Sequence, residues 1–97
     1  MSIAFTSRVT VPEEVLVREL DGESVLLNLN NESYYGLDEV GTRMWALLTS
    51  TPTIDAAYDA LLAEYEVTPE QLRSDMAALL VQLADNGLIQ VTDATLA

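Results

Sequence analysis

The feature that most constrains this chain is a change in the period of its apolar residues near residue 37. Up to that point they alternate or run in short blocks, as in strands; beyond it they recur at helical spacing. Strands first and helices after predict an α+β domain rather than alternating βα units. The first half also carries its own register mark. Val15-Leu16-Val17-Arg18-Glu19-Leu20 reads as a strand, Asp21-Gly22 as a tight turn, and Glu23 to Leu29 as the partner strand. Asp-Gly between β-rich runs is a strong hairpin signal, because glycine accepts the positive φ that the turn demands. A two-residue turn pairs Arg18 with Val25 and Leu16 with Leu27. The face carrying Leu16, Leu20, Val25, Leu27 and Leu29 is the better core candidate, although Arg18 and Glu23 interrupt it.

Asn30-Asn31-Glu32-Ser33 forms a second turn and Tyr34-Tyr35-Gly36-Leu37 a short third strand, completing a three-stranded antiparallel meander. Asp38 is placed to cap a helix running through Leu48, with Val40, Met44, Trp45, Leu47 and Leu48 on its apolar face. Gly41 inside that helix lowers its propensity and points to close packing against a neighbour. Thr51-Pro52-Thr53 breaks the chain, and a second helix spans Ile54 to Tyr65. Thr68-Pro69-Glu70-Gln71 supplies an N-cap, a proline at the first helical position and the glutamine of a capping box. The third helix runs to about Asn86 and stops at Gly87. Leu88 to Val91 is either a final short strand or a packed tail. The expected fold is α+β of winged helix-turn-helix type, three antiparallel strands followed by three helices. Residues 15–91 form the domain, 1–14 an extended arm and 92–97 a tail. Ile3, Phe5, Val9 and Val11 keep odd spacing, as an arm lying along the sheet and shielding its first strand would.

Composition narrows the function classes. Ninety-seven residues fit one domain, and 49% hydrophobic residues suffice for a packed core. No apolar run is long enough to span a bilayer and no secretion signal opens the chain, so the expected location is cytoplasmic. There is no cysteine, histidine or lysine, and the four cations are Arg8, Arg18, Arg43 and Arg73. The usual general bases and activated nucleophiles therefore reduce to carboxylates, hydroxyls and tyrosines, and the expectation is no enzyme, no metal and no cofactor. A net charge of −12 repels phosphate backbones and anionic membranes. The winged-helix alternative, DNA binding, needs several basic residues on its reading helix, and the third helix carries only Arg73. A general protein–protein interaction module is the other alternative.

A meander has two edges, and an unpaired edge is an aggregation hazard unless it serves a purpose. Tyr34-Tyr35-Gly36-Leu37 contains neither proline nor charge, so it reads as an edge kept available for strand addition. On the third helix, Leu72, Met76, Leu79, Leu80 and Leu83 form one apolar stripe. The apolar surface widens on one flank through Ala77, Val81 and Ala84, with Arg73 as its one charge; Asp75, Ala78, Gln82 and Asn86 occupy the other flank. The candidate peptide-binding set is thus Tyr34, Tyr35, Gly36, Leu37, Arg73, Met76, Ala77, Leu80, Val81 and Ala84. The competing reading is that the second helix covers this flank. Trp45 is expected in the core.

Three stretches resemble the PqqD-like family, the peptide chaperones also called RiPP recognition elements. They are Val25-Leu26-Leu27-Asn28-Leu29 through Ser33-Tyr34-Tyr35-Gly36-Leu37, Gly41-Thr42-Arg43-Met44-Trp45-Ala46-Leu47-Leu48, and Leu83-Ala84-Asp85-Asn86-Gly87-Leu88-Ile89. The resemblance covers about residues 9 to 91, and it is closest to stand-alone members, including those paired with leader proteases in lasso-peptide pathways. It implies a non-catalytic adaptor that captures the leader segment of a ribosomally made precursor. The leader adds beside the third strand, against the third helix, and is presented to a modifying enzyme such as a leader protease, cyclase or radical enzyme.

Overall fold

The computed structural model describes residues 3–92. The chain builds β1 (Arg8–Thr10), β2 (Val15–Leu20), β3 (Glu23–Asn28), β4 (Tyr34–Leu37), α1 (Glu39–Ser50), α2 (Ile54–Glu64), α3 (Pro69–Asp85) and β5 (Gln90–Thr92). Asp21 and Gly22 both take positive φ, 55° and 82°, which twists the turn in the sense that antiparallel strands require. The expected register follows: Arg18 pairs with Val25 and Leu16 with Leu27. A second turn, with Glu32 at φ 61°, brings β4 alongside β3 with Leu26 opposite Tyr35 and Val25 opposite Gly36. The sheet order is β2-β3-β4, and the three helices follow it, as the α+β reading expects.

The register is as expected, but the buried face of the sheet is the other one. Ser24, Leu26 and Asn28 point inward and are buried, whereas Leu16, Leu20, Val25 and Leu29 are exposed. The reason lies in two polar residues, Ser24 and Asn28, that act as core residues because hydrogen bonds satisfy their buried side chains. Ser24 and Thr42 share a hydrogen bond of 2.9 Å between β3 and α1. Asn28 Nδ2 donates to the Gly87 carbonyl at 2.7 Å, while its Oδ1 accepts from the Asn30 amide at 2.8 Å. Polar groups satisfied in this way cost little to bury, and they pin the second turn to the end of α3.

The helices start where the sequence marks them. Asp38, Thr53 and Thr68 each accept a hydrogen bond from an amide in the first turn. Gln71, expected to reach back and close a capping box, instead donates to Asp75 at 2.8 Å. Gly87 takes φ 69° and α3 closes with Leu88 N donating to Leu83 O at 2.9 Å, the six-to-one bond of a left-handed helix stop. Gly41 is in tight contact: a Cβ there would sit 3.2 Å from Leu37 Cδ2, so α1 leans closely on β4 and a larger residue would push the Leu37 side chain aside. Leu26, Leu48, Ile54, Leu61, Met76, Leu80, Leu83 and Leu88 are fully buried between sheet and helices, with Trp45 beside them.

The N-terminal arm does not shield β2. Its strand β1 pairs with β5 in a separate two-stranded sheet, and Phe5 enters the core. The carbonyls of Ser7 and Phe5 accept from the amides of Ile54 and Asp55, both at 2.8 Å. The first amides of a helix lack partners within it, so the arm satisfies the start of α2 rather than the sheet edge. The expected tail from residue 92 lies almost wholly outside the described residues.

Candidate functional site

The free edge of β4 is built from the pleat upward. Asn28 N donates to Ser33 O at 2.8 Å, which makes that pair hydrogen-bonded and fixes the alternation along the ladder. Tyr35 and Leu37 therefore direct their backbone groups to Leu26 and Ser24 of β3. Tyr34 and Gly36 direct theirs outward, where no strand pairs with them among the described residues. The side chains alternate in the opposite sense across the two faces. Tyr35 and Leu37 face the helices, half-buried and buried, while Tyr34 is 75% exposed on the outer face.

Beside this edge runs a hollow of about 400 Å³. Tyr35, Gly36 and Leu37 line it from β4, Val40, Gly41 and Met44 from α1, and Asp75 and Leu79 from α3, with Asp38 at the corner. The lining combines apolar side chains with two carboxylates, Asp38 and Asp75. An extended segment bonded to Tyr34 and Gly36 would lay every second side chain into this hollow.

The sequence-based site divides into two parts. Tyr35, Gly36 and Leu37 line the hollow and Tyr34 stands at its edge, so the strand half of the set is brought together. The helical half is not. Met76 and Leu80 are fully buried. Ala77 and Ala84 are partly buried against the core, and Val81 is half-exposed. Arg73 stacks over the Phe5 ring, 4.1 Å from its centroid, and lies 5.8 Å from that of Tyr58. At Arg73 this flank of α3 meets the N-terminal arm through Phe5 and α2 through Tyr58, whereas the competing reading had the second helix alone cover it. The hollow takes its α3 wall from the opposite flank, at Asp75 and Leu79. Their four-residue spacing marks them as neighbours on one face. What was missing was the direction in which α3 crosses the sheet.

The other edge has a different setting. Leu29 N donates to Glu14 O at 2.9 Å, so Leu16, Arg18 and Leu20 bond to β3 while Val17 and Glu19 face away. Alongside lies a smaller hollow, of about 320 Å³, lined by Glu19, Gly22, Glu39, Thr42, Arg43, Ala46 and Tyr65. Arg43 bridges to Glu64 at 2.8 Å, and this hydrogen-bonded partner, followed by its charge, raises the guanidinium pKa above its ordinary value.

Comparison with known proteins falls on the same elements. The model of the family described as coenzyme PQQ synthesis protein D (PqqD) matches residues 23–89. Two solved structures superpose closely. The first, TbiB1 in complex with the TbiA(beta) leader peptide, is 34% identical with a TM-score of 0.77 over 84% of this chain and 94% of its own. The second, lasso peptide synthetase B1 complexed with the leader peptide, is 25% identical with a TM-score of 0.76 over 86% of this chain and 98% of its own. No curated protein matches the sequence. No helix among the described residues is long and apolar enough to cross a membrane.

Proposed function

The chain belongs to the PqqD family, and from that premise we propose that it is a non-catalytic adaptor which captures the leader segment of a ribosomally made precursor peptide. Capture is by β-strand addition at β4, and the bound leader is presented to a peptide-modifying enzyme. The observation that carries this reading is the coincidence of the unpaired backbone groups of Tyr34 and Gly36 with the hollow between β4 and α3. Main-chain bonds supply affinity, and the hollow selects alternate side chains. The two leader-peptide complexes share this fold over more than four-fifths of the chain, which supports the assignment. The docking residues are Tyr34, Tyr35, Gly36 and Leu37 on the strand, facing Leu79 and Asp75 on α3. Arg73 holds the arm through Phe5 and takes no part in docking. A DNA-reading role has no support here, since the one cation of α3 is engaged by an aromatic ring and the chain carries a net charge of −12.

The test uses linear peptides selected from a random phage-displayed library against the full chain. Methylation of successive backbone nitrogens of a selected peptide should abolish binding at every second position and spare those between, because alternate amides face β4. A flat response along the peptide excludes strand addition.

A further inference from the structure

On the outer face of the sheet, away from all three helices, a second hollow of about 540 Å³ opens against the same strand. Its lining is Arg18, Leu20, Glu23, Ser24, Val25, Gly36, Leu37 and Asp38, and it shares Gly36, Leu37 and Asp38 with the groove on the inner face. The two hollows thus lie on opposite sides of one stretch of β4. From the capture reading above, on which this inference rests, we infer that the outer hollow is a second specificity subsite, filled by a large apolar side chain of the captured strand.

The geometry leads there through one residue. Arg18, Val25 and Gly36 form a row across the three strands, each directly opposite the next and all on the outer face. A strand added beside β4 continues this row with one of its own residues, about one strand spacing (~4.8 Å) beyond Gly36. Gly36 has no side chain to block the way, and a Cβ built there meets nothing within 4 Å. The incoming side chain can therefore lean across the glycine toward Val25, which is 49% exposed and has no apolar cover in the free chain. Glycine inside a strand weakens it, and such a position commonly marks close approach by a ligand or another backbone. Gly36 does not need glycine for its own conformation, because positive φ among the glycines is confined to Gly22 and Gly87. The open space is thus what the residue provides. The occupant follows from continuity with the docking edge: the outer hollow abuts the residue whose backbone bonds the peptide. A second copy of this chain is disfavoured there by a charge of −12 on each partner. The captured strand is then read on both faces, one set of alternate side chains in the inner groove and the interleaved set over Gly36.

The experiment repeats the phage selection on the full-length wild type and on Gly36→Leu, with melting curves to check the fold. The wild type should enrich large apolar residues at positions of both parities. Gly36→Leu, which fills the hollow from within, should lose the preference at one position of the outward set and keep the inward set. An alanine at that position of a wild-type-selected peptide should weaken binding to the wild type about tenfold, and hardly at all to the variant. Should leucine prevent folding, Val25→Ser, which makes the floor polar, gives the same comparison. A consensus of one parity only, or an outward preference unchanged in the variants, overturns this inference and leaves strand capture standing. Failure of the wild type to enrich any sequence overturns both.

Discussion

The two edges of the three-stranded sheet offer the same backbone chemistry in different surroundings. Each presents two residues with outward backbone groups, Tyr34 and Gly36 on β4, Val17 and Glu19 on β2. Beside β4 the flanking surface carries Leu37, Val40, Met44 and Leu79, with Asp38 and Asp75 among them. Beside β2 it is charged and hydrogen-bonded, with Glu19, Glu39 and Arg43, the last held by Glu64. A strand gains main-chain bonds at either edge, but beside β4 it also meets Leu37, Val40, Met44 and Leu79, and beside β2 the charged groups of Glu19, Glu39 and Arg43. Charge at an edge is a common device against unwanted pairing, so Glu19 reads as the guard of β2. An unpaired edge becomes a docking site through the surface beside it.

Neighbouring residues of α3 separate core from groove most sharply. Leu80→Glu puts a charge into the fully buried centre and should cost upwards of about 4 kcal/mol, leaving the chain unfolded by circular dichroism. Leu79→Glu changes the groove wall and should keep the fold while weakening selected peptides about tenfold by calorimetry. Next comes the strand itself. Tyr35→Pro removes a ladder donor and leaves the Leu26 carbonyl unpaired, a loss of about 1–3 kcal/mol. That should lower the melting temperature by roughly 4–8 °C per kcal/mol.

Proline on the two free edges compares them directly. Tyr34→Pro deletes an outward donor, so it should barely move the melting temperature and weaken peptide binding about two- to tenfold. Val17→Pro, its counterpart on β2, should alter neither. Reversed outcomes would transfer the docking edge to β2. The smallest effect is expected at Arg43→Ala, an exposed pair beyond the groove, with peptide affinity unchanged.

Much of this was legible in the sequence, and the failures have physical causes. Asp21-Gly22 fixed the hairpin register because a two-residue turn leaves no freedom in pairing. The same hairpin concealed its buried face. Ser24 and Asn28 are polar, and their partners, Thr42 and the Gly87 carbonyl, are 18 and 59 residues away. Leu16, Leu20 and Val25 are apolar on the outer face, so a hydrophobic count chose that side. The third strand and its open edge were visible in Tyr34-Tyr35-Gly36-Leu37 through the absence of charge and proline. The α3 wall was not, because helical periodicity gives an apolar arc without saying which flank meets β4. Phe5 settled that by stacking with Arg73, 68 residues away in sequence.

Amide hydrogen exchange with and without a selected peptide tests the central claim most directly. In the free chain, the Tyr35 and Leu37 amides should already be protected by β3, and those of Tyr34 and Gly36 should exchange quickly. Peptide binding should protect Tyr34 and Gly36 and leave Val17 and Glu19 unchanged. Protection gained at Val17 and Glu19, or binding without protection at Tyr34 and Gly36, would contradict strand addition at β4.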